Sequence, residues 1–313
     1  MRSNRGQFNF AWIFAIIVGG AILFLAIYGA LQVGDTQRFK SDTEVAKSIA
    51  ILTDPLQAGF SEGSFGKIGF QQETRINNFC FDDDFGKNEI SVATRSDVGE
   101  EWNLAGGATS IHNKYLFSPE RGSGEEFYVF SKPFEFPYKI ADLIFMTSES
   151  YCFINAPEEI SDEITGLNIE NIEVENCTDL DVNVCFGSGS DCDVTVYGAC
   201  MSGCDTVYDE GTVEKYGVQM KYVGNLMYGA ILSDKLVYDC NVRRLMYRAA
   251  KISEGFSKKT DIMDARGCNT NLKADLIFWG GSTINASSDN LIGLRQMADV
   301  MNKKNERELC GVW

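Results

Sequence analysis

The chain has 313 residues, of which 44% are hydrophobic and 12% aromatic, so it can bury a large core and is not a low-complexity chain. Its 44 acidic residues outnumber 28 basic ones and give a formal net charge of −16 at pH 7. Because a surface of this sign repels phosphate backbones, we expect no nucleic-acid partner.

The N-terminal region is an uncharged run over Gly6–Gly34 whose apolar core is Phe10–Leu31. As a helix rising about 1.5 Å per residue, this core would extend roughly 33 Å, enough to cross a hydrocarbon layer of about 30 Å. A transmembrane helix is therefore predicted over residues 8–34. Arg2 and Arg5 precede it, and basic residues favour the cytoplasmic side. The N-terminus is therefore predicted to be cytoplasmic and the bulk of the chain extracellular, in a single-pass cell-membrane protein.

Two further features of this segment bear on its role. A cleaved secretory signal peptide is the alternative interpretation, but Tyr28 places a bulky ring where its cleavage site requires a small residue. Ala11, Ala15 and Gly19 recur every four residues, a spacing that lets membrane helices approach closely, although small residues are also common in membrane helices generally. We therefore expect the segment to anchor the chain, with residues 1–7 as a basic leader.

The tripeptide Arg5-Gly6-Gln7 before a long apolar helix resembles the class III signal peptide of archaeal type IV pilin-like proteins. The resemblance implies that a membrane peptidase cuts between Gly6 and Gln7 and that the retained helix forms the packing core of a filament. It is confined to residues 1–35 and departs from the family at Ala11, where Glu is usual. It implies self-association, or packing with other pilin-like subunits, through the N-terminal helix.

The remainder is predicted to be an α+β protein. Helical spacing continues through a stalk extension, residues 35–58, in which Pro55 ends the helix. A disulfide-rich and mostly antiparallel β head follows over residues 59–313, with possible lobes at 59–155 and 156–313. The predicted strands are Ile76–Phe81, Glu89–Thr94, Glu126–Lys132, Asp142–Phe145, Tyr151–Ile154, Ile169–Val174, Val182–Phe186, Val194–Tyr197 and Val218–Tyr222.

Helices are predicted mainly at the C-terminal end. A short one covers residues 156–164, and two amphipathic helices follow the capping pairs Ser233–Asp234 and Asp289–Asn290. Between these two, Lys273–Trp279 is a predicted strand. The first amphipathic helix carries an apolar stripe from Tyr238 to Phe256. The basic residues placed mostly opposite that stripe are Arg243, Arg244, Arg248 and Lys251.

Ten cysteines lie beyond the apolar segment, and an even number in an oxidising environment indicates a disulfide framework. The alternative of a zinc site requires close Cys-x-x-Cys pairs, which the sequence does not contain. The pairing itself cannot be deduced from the sequence. The cysteines are Cys80, Cys152, Cys177, Cys185, Cys192, Cys200, Cys204, Cys240, Cys268 and Cys310.

Signs of catalysis are weak. The one histidine, His112, could serve as a base, but no Gly-x-Ser-x-Gly elbow accompanies it and the cysteines are expected to be paired. Paired carboxylates for glycoside hydrolysis cannot be judged, because 44 acidic residues give many chance neighbours. We therefore predict that the chain is not an enzyme and has no resident cofactor or metal.

Two kinds of surface site remain as candidates. Asp179, Asp181 and Asn183 have the alternate spacing of a weak calcium loop, which an ordinary strand with one solvated face also produces. Asn176 and Asn285 begin N-glycosylation sequons, as expected for an exported protein.

The function predicted from these features is that of a cell-surface structural or adhesive protein, either a pilin-like subunit or a surface attachment module. Its expected partners are the membrane, other copies or related subunits, and a surface glycan or protein ligand. A membrane-tethered extracellular binding protein for a sugar or peptide is the alternative from a second class. An exported hydrolase is the alternative from a third.

Overall fold

The structure is a computed structural model, and it describes residues 17–26, 28, 39–49, 65–95, 101–175, 177, 182–199 and 206–313. The first two helical segments are α1, residues 17–26, whose side chains are exposed, and α2, residues 39–49. Across the described ranges, no helix combines the length and the apolar character needed to span a membrane.

This finding corrects the predicted transmembrane helix over residues 8–34 and the single-pass membrane localisation that depended on it. At about 1.5 Å per residue, α1 extends about 15 Å, half of a hydrocarbon layer of about 30 Å. The other residues of the predicted span, apart from Tyr28, lie outside the described part of the chain.

Six strands form sheet 1, in the spatial order β3-β2-β1-β5-β6-β4. Neighbouring strands are antiparallel except β4, which pairs in parallel with β6. The strands are β1 (Phe65–Phe81), β2 (Lys87–Thr94), β3 (Thr109–His112), β4 (Tyr115–Phe117), β5 (Arg121–Glu135) and β6 (Lys139–Thr147).

Six further strands form sheet 2, in the order β12-β11-β10-β9-β7-β8. Here β7 pairs in parallel with both β8 and β9, and β9 pairs in parallel with β10, while β11 is antiparallel to β10 and β12. The strands are β7 (Tyr151–Ile154), β8 (Ile172–Val174), β9 (Val182–Phe186), β10 (Val194–Ala199), β11 (Val207–Lys215) and β12 (Val218–Val223).

The predicted mostly antiparallel head is therefore wrong, since the chain forms two mixed sheets. The physical reason lies partly in α3 (Glu158–Leu167), which connects β7 to β8. A crossover helix returns the chain to the end of the sheet where it started, so the two strands it joins run parallel. Alternation of apolar residues predicts where a strand lies but not which neighbour it pairs with.

Four helices complete the described fold. They are α4 (Leu226–Leu232), α5 (Lys235–Ala265), α6 (Lys273–Thr283) and α7 (Leu291–Arg307). The strand predicted over Lys273–Trp279 is wrong, because these residues belong to α6. Leu276, Trp279 and Thr283 are its buried residues and recur at helical intervals, and a short apolar run is compatible with both periods.

Sheet 1 is buried on both faces. Along β6, Leu143 and Phe145 belong to the main core, whereas Ile144 and Met146 belong to a second core that Ile49 of α2 helps to cover. This alternation follows from the period of two in a β-strand. The main core also contains residues of sheet 2, α4, α5, α6 and α7. The division into lobes at residue 155 stays a prediction.

Four disulfide bonds confirm the prediction that the cysteines pair. Cys80–Cys240 joins β1 to α5, and Cys185–Cys192 closes the connection from β9 to β10. The other two bonds are Cys152–Cys177 and Cys268–Cys310. Cys200 and Cys204 lie outside the described residues.

A tight contact in α4 gives a first testable prediction. A Cβ atom at Gly229 would lie 2.7 Å from Cδ1 of Phe117, a fully buried ring. Because Phe145 and Tyr238 pack around that ring, with centroids 5.8 and 6.0 Å away, it has little room to move. We expect Gly229→Ala to lower the free energy of unfolding by about 1–3 kcal/mol, measured by urea denaturation.

The matched control is Gly255→Ala in α5, where no atom lies within 4 Å of the added Cβ and the site is exposed. Alanine is preferred over glycine inside a helix, so this variant should gain about 0.5–1 kcal/mol. Equal effects of the two substitutions would show that Phe117 does not limit the space at Gly229.

Candidate functional site

A cleft of about 430 Å³ opens between the first turn of α3, the start of β11 and the turn from β12 to α4. Its polar and aromatic lining comes from segments that are far apart in the chain, and sheet 2 holds them together. These lining residues include Glu158, Glu159, Glu163, Tyr208, Asp209 and Tyr228.

The cleft is strongly acidic. Four carboxylates line it, and none of its described lining residues is a lysine or arginine. Among the described residues, no cation pairs with Glu158, Glu159 or Asp209, whereas Glu163 forms an ion pair with the largely buried Lys132. The potential inside the cleft is therefore negative, and it is focused by the low-dielectric walls.

Glu163 forms a fixed part of the wall. One of its carboxylate oxygens accepts a hydrogen bond from the ammonium group of Lys132, and the other accepts one from the hydroxyl of Tyr228. Burial, followed by the charge of Glu163, raises the pKa of Tyr228 well above its ordinary value. The hydroxyl therefore stays protonated and keeps donating to Glu163, which leaves Glu158, Glu159 and Asp209 as the carboxylates available to a ligand.

The local sequence explains why these acidic residues are tolerated. Pro157 occupies the N-cap position of α3, and Glu158 and Glu159 follow in the first turn. Proline has the backbone angle needed to enter a helix, and carboxylates are stabilised near the positive end of the helix dipole. The first turn of α3 therefore presents two exposed carboxylates at the mouth of the cleft.

Apolar and aromatic surface accompanies the charge. Val207 is 53% exposed, and the half-buried ring of Tyr208 packs edge-on against Phe186 with their centroids 5.3 Å apart. An aromatic ring of this kind attracts a cation and also packs against an alkyl chain. The cleft therefore combines the features that suit a cation carried on an apolar stem.

The predicted site residues that the structure describes are not among the lining residues of the cleft. Gly19 is exposed in α1, and Asn285 is exposed in the turn that follows α6, so its glycosylation stays a prediction. His112 is exposed at the end of β3. The predicted processing, packing, glycosylation and calcium residues that lie outside the described range are Gly6, Gln7, Ala11, Ala15, Asn176, Asp179 and Asp181.

Asn183, the remaining calcium candidate, has a local structural role. Its side-chain amide donates to the carbonyl of Asp191 at 3.2 Å, and its backbone N–H donates to Asp193 at 2.8 Å. These bonds support the connection from β9 to β10. In the part of the chain that the structure describes, no group of three or more histidine, cysteine, aspartate or glutamate residues is placed to hold a metal ion.

Comparisons with protein-family models, with characterised proteins and with solved structures find no match to this chain. The case for a function therefore depends on the chemistry of the cleft. The short helix predicted over residues 156–164, with acidic residues near its positive end, is the one signal of this site in the sequence. No sequence pattern indicates that Tyr208 and Tyr228 lie beside that helix.

Proposed function

We propose that this chain is a binding protein whose acidic cleft receives a lysine- or arginine-bearing segment of a partner protein. The observation that carries the proposal is that Glu158, Glu159 and Asp209 line a cleft with no lysine or arginine among its described lining residues. The proposal belongs with the adhesive and peptide-binding classes predicted from the sequence. A pilin-like subunit and an exported hydrolase stay predictions, and a membrane anchor forms no part of the proposal.

The chemistry of the cleft favours a basic peptide over a neutral ligand. A guanidinium group donates paired hydrogen bonds to carboxylates, and an ammonium group donates up to three. The methylene stems of both side chains can lie along apolar surface such as that of Val207 and Tyr208. A volume of about 430 Å³ accommodates one or two such side chains.

The mouth of the cleft also determines the expected kind of affinity. Ion pairs at an exposed rim contribute about 0–1 kcal/mol each, so Glu158 and Glu159 give modest affinity and faster association. Binding should weaken as salt is added, because salt screens exposed charges. The four disulfides indicate that the protein works where disulfides persist.

The proposal predicts that neutralising the first turn of α3 weakens peptide binding. The double variant Glu158→Gln, Glu159→Gln should raise the Kd for a synthetic peptide of alternating lysine, arginine and glycine about tenfold, measured by isothermal titration calorimetry. The reason is that two unpaired carboxylates at the mouth are lost. Glutamine preserves the side-chain shape, so the fold should be retained.

The matched control is Glu101→Gln, Glu306→Gln, which removes the same charge from exposed positions outside the cleft lining. This double variant should bind the peptide as the unmodified protein does. An equal loss of peptide affinity in both double variants would show that the overall charge of the protein, and not the cleft, determines binding. No binding of the peptide at low salt, or tighter binding of a neutral oligosaccharide, would contradict the proposal.

A further inference from the structure

A buried guanidinium lies beside one of the disulfides. Arg244 of α5 has 0% exposure. Its Nη1 donates to the side-chain carbonyls of Asn88 at 2.5 Å and Asn241 at 2.7 Å. Its Nη2 donates to the backbone carbonyl of Lys114 at 2.9 Å, and its Nε donates to that of Phe85 at 3.0 Å. All of these acceptors are neutral oxygen atoms.

The charge of Arg244 therefore has no anionic partner among the described residues. The carboxylate of Asp82 acts on Arg244 through its charge, but its ion pair is with the neighbouring Arg243. Burial lowers the pKa of Arg244 to about 10, and the face of the Tyr115 ring, 4.9 Å away, compensates part of the charge. A buried cation of this kind is stabilised by any anion that forms next to it.

The Cys80–Cys240 disulfide is the group placed to supply such an anion. Nη1 of Arg244 lies 4.0 Å from Sγ of Cys80, which is also 3.6 Å from Oδ1 of Asn241. Cys80 is half-exposed, whereas Cys240 is 5% exposed. Cys80 is therefore the more accessible of the two cysteines to a small thiol.

We propose that Cys80–Cys240 is a reversible modification site for low-molecular-weight thiols, and that Arg244 stabilises its reduced form. In the first step a thiolate attacks Sγ of Cys80 and forms a mixed disulfide. The Cys80–Cys240 bond breaks, and its electron pair leaves on Cys240, which takes a proton from solvent. A second thiolate attacks the small-molecule sulfur of the mixed disulfide. It releases Cys80 as a thiolate, and the two small thiols leave joined as their disulfide.

The energetic argument concerns the product of the second step. A cysteine thiolate beside an arginine is stabilised relative to the thiol, which lowers the pKa of that thiol. Stabilising the reduced form makes a disulfide easier to reduce. Charged groups on the packed elements include Asp82, paired with Arg243, Lys87, paired with Glu89, and Arg248, which donates to the backbone carbonyl of Ile140. Both carboxylates are held by cations of their own, which reduces their effect on a thiolate at Cys80.

The modification would open a covalent connection between sheet 1 and α5. Cys80 lies near the end of β1 in sheet 1, and Cys240 lies in the first part of α5. Opening the bond removes the covalent link between them, while Arg244 keeps α5 bonded to Asn88 of the neighbouring strand β2. This site is separate from the acidic cleft, so its test does not depend on the proposed function.

The test equilibrates the full chain with graded ratios of reduced and oxidised glutathione at about pH 9, where the Cys80 thiol ionises with and without Arg244. Free thiols are then trapped by alkylation and located by mass spectrometry. We expect Arg244→Gln to need about tenfold more reducing buffer to open Cys80–Cys240, since a shift of one pKa unit is a factor of about ten. The matched control, Arg243→Gln, removes the same charge from the exposed neighbour and should leave the ratio unchanged.

If Arg244→Gln fails to fold, a second measurement tests whether Arg244 stabilises the thiolate of Cys80. In Cys240→Ser the thiol of Cys80 is free and Arg244 is intact, so the pH dependence of its alkylation by iodoacetamide reports its ionisation. We expect a midpoint roughly one pH unit or more below the value of about 8.5 for an ordinary cysteine. A midpoint at or above that value, or equal glutathione ratios in the folded Arg244→Gln and unmodified proteins, would overturn the proposal.

Discussion

Arg244→Ala is expected to lower the free energy of unfolding by about 3–5 kcal/mol. The substitution leaves the carbonyl oxygens of Asn88 and Asn241 without the donor that now satisfies them, together with the backbone carbonyls of Phe85 and Lys114. Each buried acceptor left without a partner costs about 1–3 kcal/mol. The partial sharing of these acceptors with other donors keeps the total below the simple sum.

Urea denaturation followed by circular dichroism measures this loss. The control is Arg243→Ala, the adjacent residue of α5, whose ion pair with Asp82 is exposed. Exposed pairs contribute about 0–1 kcal/mol, so this variant should remain close to the unmodified protein. Similar unfolding midpoints for the two alanine variants would show that Arg244 is not the central donor of this network.

Trp279→Ala is the second substitution expected to have a large effect, a loss of about 3–5 kcal/mol. Trp279 is 0% exposed in α6, and its ring packs edge-on against Phe136 with centroids 5.2 Å apart. Removing the indole leaves a cavity beside Phe136, in the connection from β5 to β6, that the surrounding side chains fill only in part. Both transfer free energy and packing contacts are lost.

The neighbouring residue provides the control, because Phe278 is 67% exposed. Phe278→Ala should change the free energy of unfolding by about 0.5 kcal/mol or less. In thermal and urea unfolding, the midpoint of Trp279→Ala should therefore lie clearly below that of Phe278→Ala. Comparable losses would mean that both faces of this helix are buried, which would contradict the exposed position of Phe278.

Much of the secondary structure was accessible from the sequence. β-rich alternation placed strands at Tyr151–Ile154 and Val182–Phe186, and these are the observed bounds of β7 and β9. The capping pair Ser233–Asp234 placed the start of α5, although the carboxylate of Asp234 accepts a hydrogen bond from the backbone of Glu120 rather than capping the helix. Local periodicity and turn chemistry act over a few residues and are visible in a single chain.

Arg244 shows where that reasoning failed. Helical periodicity grouped it with Arg243, Arg248 and Lys251 on a polar face, and a lone arginine is expected to be exposed. Arg244 can be buried because it donates hydrogen bonds to Asn88 of β2 and to Asn241 of its own helix. Such a partner set depends on residues distant in the chain, so no pattern within α5 could reveal it.

The cleft could not be predicted from the sequence, for the same reason. Glu158 and Glu159 were predicted to begin a helix, but their relation to Tyr208 and Asp209 depends on the pairing order of sheet 2. Strand order is decided by long-range packing, and several orders satisfy the same alternation of apolar residues. The parallel pairing of β7 with β8 and β9 is one such choice.

By itself, the sequence determined the acidic charge, the capacity for a large core, the presence of a disulfide framework and the approximate position of most strands and helices. These properties follow from composition and from contacts between near neighbours. The tertiary structure alone decided the mixed pairing of both sheets, the cysteine partners, the helical state of residues 273–283 and the burial of Arg244. Each of these depends on which distant segments pack together and exclude water. The free energy gained by burying that apolar surface is a property of the packed chain.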